Sequence, residues 1–237
     1  MLIFFIDDLF TFEKDRAYKF AKLVKEELPP IEWQCLSRVD TVTPDLLNKM
    51  AEAGCNRIYY GIESGNQTVL KDVKGITIEE VENAVKSAKG AGIATSGFFM
   101  LALPGDTKET MQETITFSLE LDLDEAIFFI TTPFPGTRLW DILERKSLVD
   151  FNRLDLSKAF YCGTDDMILF NLSNATDDEV LQMFRKANLP FLHYRIKIML
   201  NRKLGKGGRL LYAIVKPIIR IKLLRTLARN FLKVIRV

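Results

Sequence analysis

A repeating unit fills the first 150 residues and limits the possible folds more than any other feature of the chain. Each unit has a short β-branched and aromatic run, a polar loop and a helical pattern opened by a capping residue. The predicted strands are residues 2–6, 32–36, 57–60, 93–101 and 126–130. Because strands that alternate with helices pair in parallel, the pattern predicts an α/β fold. The periodicity leaves open a doubly wound sheet or an incomplete (β/α) barrel.

Capping signals predict where the helices begin. The first helix is predicted over about residues 12–27, and later starts are marked by Thr43–Pro44, the pair Thr77 and Glu80, Asp106 or Thr107, and Thr137. From about residue 151 the repeat stops, and Thr176 with Glu179 predicts a long helix that Pro190 should kink. We therefore expect a core over residues 1–150 and a mainly helical extension over residues 151–237.

Charge is distributed unevenly along the 237 residues, although the formal net charge is only +2. Residues 195–237 carry thirteen Lys or Arg and no Asp or Glu, at helical spacing with apolar residues. Such a basic amphipathic tail suits an anionic membrane surface, or packs its apolar stripe on the acidic body. Nucleic acid is a less favoured partner because few aromatic residues interleave the basic ones.

Composition excludes several classes of protein. With 48% hydrophobic and 27% charged residues, the chain is typical of a folded globular protein rather than a disordered one. The three cysteines, Cys35, Cys55 and Cys162, have neither disulfide-set nor metal-ligand spacing, so no metal site is predicted from them. No apolar run approaches the ~18 residues that span a bilayer. The predicted location is the cytoplasm, with peripheral membrane contact through the tail as an addition.

Polar, charged and glycine residues follow each predicted strand, where ligands bind in both candidate architectures. Asp7 and Asp8 could hold an ammonium group or a divalent cation, or could cap a helix. Arg38 could bind a carboxylate or phosphate through two parallel hydrogen bonds, or could pair with Asp40 or Glu63. The segment 61–65 offers two glycines that let a ligand approach the backbone, with Glu63 and Ser64 as polar contacts.

Five motifs in order resemble the radical S-adenosylmethionine (SAM) enzymes, in the class that usually carries an upstream cobalamin-binding domain. They cover about residues 2–143 and read IFFIDDLFTFEKDRA, EWQCLSRVD, LLNKMAEAGCNRIYYGIESGNQTVLK, GIATSGFFMLALPGDTKETMQETITF and FFITTPFPGTRLW. The resemblance implies a six-stranded partial barrel, of which about five strands are present, and SAM as cofactor. It implies that the cofactor-binding residues are Asp7, Asp8, Arg38, Gly61, Glu63, Ser64, Pro104 and Gly105. Within that set, Asp7 and Asp8 would meet the amino group, Arg38 and the segment 61–65 the carboxylate and ribose, and Pro104–Gly105 the adenosyl group. Catalytic residues and the substrate are not identified.

The sequence departs from the family at its defining feature. A CxxxCxxC motif that binds a [4Fe–4S] cluster is absent, and the sequence begins at what resembles the family's second strand. We therefore expect the C-terminal portion of a radical SAM enzyme that is inactive as this isolated chain, with the cluster and cobalamin implied by the family only. A degenerate, non-catalytic interaction protein is the alternative. A Mg²⁺-dependent phosphoacceptor domain is disfavoured, since the third Asp and the Lys that it needs are missing.

Overall fold

The computed structural model describes residues 2–145 and 168–188, and all structural statements below concern these residues. Their five strands are β1 (Leu2–Phe5), β2 (Glu32–Ser37), β3 (Cys55–Glu63), β4 (Ala94–Leu101) and β5 (Glu125–Ile130). The helices between and after them are α1 (Lys14–Glu27), α2 (Pro44–Glu52), α3 (Gln67–Lys74), α4 (Ile78–Gly90), α5 (Lys108–Glu120) and α6 (Arg138–Arg145). A 3-10 turn, Val39–Thr41, follows β2.

The strands form one parallel sheet in the consecutive order β1-β2-β3-β4-β5. A doubly wound sheet reverses its strand order at a switch point, whereas a (β/α) barrel adds each strand beside the last. The consecutive order therefore resolves the alternative that the periodicity left open. The predicted α/β partial barrel is confirmed, and among the described residues β1 pairs on one side only.

Strand β3 is longer than predicted. Buried Ile58, Tyr60 and Ile62 alternate with less buried residues as far as Glu63, so the period of two continues past the predicted end at residue 60. The prediction that Gly61 and Glu63 belong to a loop is wrong. Glycine is disfavoured in strands, which hides the pattern, and a register shift between Gly61 and Glu63 marks a bulge at this point.

The helix starts follow the predicted caps. Thr43 accepts a hydrogen bond from the Leu46 backbone ahead of Pro44, and Thr77 forms a reciprocal capping box with Glu80. Thr107, rather than Asp106, caps α5. Helix α3 is not predicted from the sequence; its start depends on Asn66, whose side chain accepts from two backbone N–H groups.

The core lies between the sheet and its helices. Trp33 of β2 is fully buried, donates its indole N–H to the Ala53 carbonyl at 2.8 Å and packs with Phe5, Phe10 and Phe20. Cys35 and Cys55 are buried beside it, as predicted for small apolar residues. Cys55, however, begins β3 and does not end a helix. The opposite face of the sheet leaves Leu2, Phe4 and Phe129 between 41% and 51% exposed.

The chain divides into two units, residues 1–187 and residues 188–237. Within the first, Leu143 of α6 packs against Phe170 and Leu172. The predicted capping box is confirmed by reciprocal bonds between Thr176 and Glu179, and residues 177–188 are helical. The predicted core boundary near residue 150, the Pro190 kink and the basic tail fall outside the described residues and stay predictions. No described helix meets the length and hydropathy of a membrane span.

Candidate functional site

Five loops meet at one edge of the sheet because all five strands run in the same direction. They follow β1 at Asp7–Asp8, β2 at Arg38, β3 after Glu63, β4 at Leu103–Asp106 and β5 at Thr131. We call this edge the carboxyl rim. In barrels built from parallel strands, ligands bind at this end. All eight predicted cofactor-binding residues belong to these loops or to the strand residues directly before them.

A charged network joins the rim residues of β2 and β3. The Arg38 guanidinium forms a bidentate salt bridge with the Asp40 carboxylate, to which Nε and Nη2 donate at 2.8 and 2.7 Å. Nη2 also donates to the Lys74 carbonyl at 3.3 Å. This fork lowers the pKa of Asp40 and raises the pKa of Arg38. Of the two partners proposed for Arg38 from sequence, Asp40 is the one it binds directly.

Lys74, at the end of α3, completes the network. Its ammonium donates to Glu63 Oε1 at 2.6 Å and to the Gly61 carbonyl at 2.7 Å. A Cβ atom on Gly61 would lie 2.5 Å from the Lys74 Nζ, so the glycine leaves the space in which the ammonium sits. Glu63 itself has a φ of 76°, which a side chain rarely adopts and which the surrounding contacts must hold. Sequence reasoning missed Lys74 because it missed α3.

The acidic pair after β1 is divided between two environments. Asp7 accepts from Arg16 Nη2 at 2.8 Å and from the Leu9 backbone at 3.3 Å, and the Arg16 bond is the main reason that its pKa is lowered. Asp8 is exposed. The loop is fixed to the neighbouring strand by a hydrogen bond from the Phe10 amide to the Leu36 carbonyl at 3.2 Å. Both carboxylates are thus accessible at the rim beside β2.

Ser64 differs from the other predicted residues because its hydroxyl is buried inside the fold. It lies 3.2 Å from the Thr114 hydroxyl of α5 and accepts from the Asn66 amide at 3.1 Å. Gly65 donates to the same Thr114 oxygen at 3.0 Å. These bonds fasten the end of β3 to α5, so the arrangement gives Ser64 a role in positioning the loop instead of an open contact.

The loop after β4 presents Pro104 and Gly105 at the rim. Gly105 has a φ of 88°, and nothing lies within 4 Å of where its Cβ would be. Asp106, directly behind it, is only 2% exposed, and its burial raises the pKa of its carboxyl to about 6 against the lowering effect of two hydrogen bonds.

Beneath the rim, the face of the sheet opposite to Trp33 carries a row of aromatic rings. Phe4 contacts Tyr59 with ring centroids 5.3 Å apart, Tyr59 stacks on Phe98 at 5.8 Å, and Phe98 meets Phe129 at 5.9 Å. Toward the amino ends of the strands the same face becomes polar, where Arg57 donates to Ser96 at 2.8 Å. The face is therefore layered, with charges at the rim, aromatic rings in the middle and a polar floor.

Two cavities lie between α2 and α4 on the helical side. One of about 420 Å³ is lined by residues that include Thr43, Glu80 and Asn83, and the other of about 460 Å³ by residues that include Asn48 and Lys86. Only Asp40, which lines the first, also belongs to the rim network. The first cavity thus adjoins the rim at Asp40, but neither cavity is lined by the loops that follow β1, β3, β4 or β5, and this favours the rim as the functional site.

An iron–sulfur cluster has no ligand set in the described ranges, 2–145 and 168–188. These residues contain no group of three or more His, Cys, Asp or Glu that could hold a metal ion. Cys35 and Cys55 are both buried, and their mutual hydrogen bond together with burial raises the pKa of Cys35 well above its usual value. A cluster needs deprotonated, converging thiolates, so these two cysteines do not fit one.

A consecutive parallel sheet with charged loops at its carboxyl ends defines an incomplete (β/α) barrel with a ligand-binding rim. Comparison with known proteins agrees with this class: residues 2–118 match the Radical SAM superfamily. The resemblance to the radical SAM enzymes that was drawn from the motifs is therefore confirmed over residues 2–118.

Relatives with methyltransferase names are among the most similar proteins. The uncharacterized methyltransferase PH0819 of Pyrococcus horikoshii is 33% identical over 218 residues, which are 92% of this chain and 46% of the relative. The cytidylyl-2-hydroxyethylphosphonate methyltransferase of Streptomyces wedmorensis is 27% identical over 78% of this chain and 35% of its own. The chain thus spans less than half the length of these relatives.

Solved structures share the fold at low sequence identity. The cobalamin-dependent SAM radical enzyme OxsB, with aqua-cobalamin and SAM bound, has a TM-score of 0.61 at 15% identity, over 92% of this chain and 38% of its own. The radical SAM methyltransferase TsrM from Kitasatospora setae, with cobalamin and a [4Fe–4S] cluster bound, has a TM-score of 0.57 at 20% identity, over 62% of this chain and 31% of its own.

Proposed function

We propose that the carboxyl rim binds SAM and that the chain acts as part of a cobalamin-class radical SAM enzyme. The complete enzyme would generate a 5′-deoxyadenosyl radical or transfer a methyl group to an unactivated carbon. The observation that supports this most is the joined rim network, in which Arg38, Glu63 and Lys74 place carboxylate and cationic groups side by side. The methyltransferase names of the relatives support the second reaction.

The rim residues fit the chemical groups of SAM. The carboxylates of Asp7 and Asp8 suit its ammonium group, and Glu63 suits the ribose hydroxyls. Arg38 and Lys74 can each hold the methionine carboxylate, which would take the place of the internal carboxylates that they now bind. Gly105, with open space where its Cβ would be, lets an adenosyl group approach the backbone.

The cluster and cobalamin do not have the same support in this chain. A reduced [4Fe–4S] cluster supplies the electron that cleaves SAM in this family, but the described residues offer it no ligands. Those groups would be held by polypeptide outside the described residues, and the buried Cys35 and Cys55 would not ligate them. Because the cluster motif is absent from the sequence, we expect the isolated chain to bind SAM and not to cleave it.

Calorimetric titration of the chain with SAM tests the binding. We expect a weak but saturable signal that Asp8→Ala and Glu63→Gln each reduce about tenfold, the loss of one charge-assisted hydrogen bond. Glu52→Gln is the matched control, because Glu52 is an exposed glutamate paired with Lys25 on the helical layer. Equal loss in all three variants, or no binding in the wild type, would contradict the proposal.

A second assay separates the enzyme part from a non-catalytic relative. After iron and sulfide reconstitution and reduction with dithionite, the isolated chain should give no 5′-deoxyadenosine, whereas a longer form with the cluster motif should give it. Absence of product from the longer form would favour the non-catalytic alternative. The phosphoacceptor reading finds no support in the consecutive strand order, since such domains are doubly wound.

The basic segment 195–237 lies outside the described residues, and its contact with anionic membranes is kept as a proposal. The support is its charge, thirteen Lys or Arg with no acidic residue. Co-sedimentation with vesicles that contain phosphatidylserine, compared with neutral vesicles, should show binding only to the former. Equal amounts of protein sedimenting with both kinds of vesicle would exclude a specific contact with anionic membranes.

A further inference from the structure

The loop after β4 is fixed by a single buried carboxylate. Asp106 accepts from the Leu103 amide at 2.9 Å through Oδ2 and from the Thr110 hydroxyl at 2.7 Å through Oδ1. Its own backbone amide donates to the Leu103 carbonyl at 3.0 Å. One side chain therefore ties the start of the loop to helix α5 and closes the turn that carries Pro104 and Gly105.

This loop has a conformation that its sequence alone would not maintain. Ala102 has a φ of 62°, in the left-handed region that side chains avoid, and Gly105 has a φ of 88°. Thr131, on the next loop, donates its amide and its hydroxyl to the Leu101 carbonyl, both at 2.8 Å. Backbone strain of this kind persists where surrounding contacts over-determine it, and it clusters at ligand sites.

The same residue links the loop to the C-terminal part of the described structure. The Asp106 carbonyl accepts from the Asn174 amide at 2.8 Å. A second link between α5 and this part is the ion pair of Lys108 with Glu179 at 3.7 Å. Burial disfavours the charged form of Asp106, so a carboxylate at this position reduces stability at neutral pH, a cost that is typical of functional sites.

We propose that Asp106 is a positioning residue that holds the Pro104–Gly105 tip in place against the adenosyl group of the ligand. This inference rests on the proposed SAM site and extends it to a residue that does not itself touch the ligand. The tip is the exposed part of the turn, while Leu103 and Asp106 beneath it are each 2% exposed. Removing the carboxylate would leave the Leu103 amide without its acceptor and release the tip.

Two variants with a matched control test the proposal by SAM titration of the whole chain. Asp106→Ala removes both acceptors and should weaken SAM binding by about tenfold or more. Asp106→Asn keeps an oxygen for the Leu103 amide and a donor for Thr110, and should restore most of the affinity. Asp124→Ala is the control: Asp124 accepts from the Thr95 amide at 2.8 Å, but at the opposite edge of the sheet. The Asp124→Ala substitution should lower the stability of the chain and leave its affinity for SAM unchanged.

Hydrogen exchange at the Leu103 amide gives a readout that needs no ligand. Exchange should be faster in Asp106→Ala and nearly unchanged in Asp106→Asn. Wild-type SAM affinity in Asp106→Ala, or an equal loss in Asp124→Ala, would overturn the positioning role while the SAM site stands. A further outcome is that neither the wild type nor the variants bind SAM while the Leu103 amide still exchanges faster in Asp106→Ala. In that case the proposed function fails, and the positioning role fails with it. Should Asp106→Ala not fold, SAM must slow Leu103 exchange in the wild type, and unchanged exchange would refute the proposal.

Discussion

Replacing Gly65 with alanine should separate the loop after β3 from helix α5. An added Cβ would lie 2.6 Å from the Phe117 Cβ and 2.8 Å from the Thr114 Cα, where ordinary contacts begin at 3.4 Å. Because one of these atoms belongs to the helix backbone, the clash cannot be relieved by a side-chain rotation. Either the loop or α5 must move by more than half an ångström.

The cost combines overpacking with two stretched hydrogen bonds. Overpacking of a tight site costs about 1–3 kcal/mol, and each of the bonds from Ser64 and Gly65 to Thr114 contributes about 1 kcal/mol. Alanine regains about 0.5–1 kcal/mol by restricting the unfolded chain. We therefore expect Gly65→Ala to lower the free energy of unfolding by about 2–4 kcal/mol.

Urea unfolding followed by circular dichroism measures this change, with Gly90→Ala as the control. Gly90 ends α4, and nothing lies within 4 Å of where its Cβ would be, so alanine there should raise stability by about 0.5–1 kcal/mol. The two variants should therefore shift the midpoint in opposite directions. A Gly65→Ala protein within about 0.5 kcal/mol of wild type would refute the close packing of this loop on α5.

Three further changes probe the core and the buried carboxylate. Trp33→Phe should lower stability by about 2–3 kcal/mol, since it leaves the buried Ala53 carbonyl without its donor and opens a cavity; urea unfolding checks this. Tyr60→Phe should be neutral or up to about 1 kcal/mol more stable, because within the described part of the chain the buried Tyr60 hydroxyl has no hydrogen-bond partner; a clear loss would contradict this. For Asp106, a folded pKa of about 6 against 3.8 means that its charge destabilises the fold increasingly as pH rises from about 4 to 6. The stability of wild type relative to Asp106→Asn should thus fall by about 2 kcal/mol between pH 4 and pH 7, and a flat difference would contradict the buried charge.

The fold was largely predictable because its signals are local. Period-two apolar runs and caps such as Thr43 and Thr77 fix where strands and helices begin, and each acts over a few residues. Periodicity alone did not predict the strand order, because the same alternation serves a doubly wound sheet and a barrel equally well; the motif resemblance was needed to choose the barrel. Only the long-range pairing of β1 with β2, and so on to β5, distinguishes them.

The site was predictable in its location and less so in its contacts. Strand ends identified the rim, because parallel topology sends them all to one edge. Lys74 could not be found this way, since it lies at the end of α3, a helix that the sequence analysis did not predict. Ser64 lies next to Gly65 in a segment predicted to be a loop, yet packing against Thr114 buries it, and local sequence carries no signal of that contact.

Chemical-shift mapping of the isotopically labelled chain during titration with SAM tests the central claim most directly. We predict that saturable shifts concentrate at Asp7–Asp8, at Gly61 and Glu63, and at Pro104–Gly105, and that Asn48 and Lys86, which line the second cavity between α2 and α4, stay unperturbed. Shifts centred on Asn48 and Lys86 instead, or none at millimolar SAM, would contradict a cofactor site at the carboxyl rim.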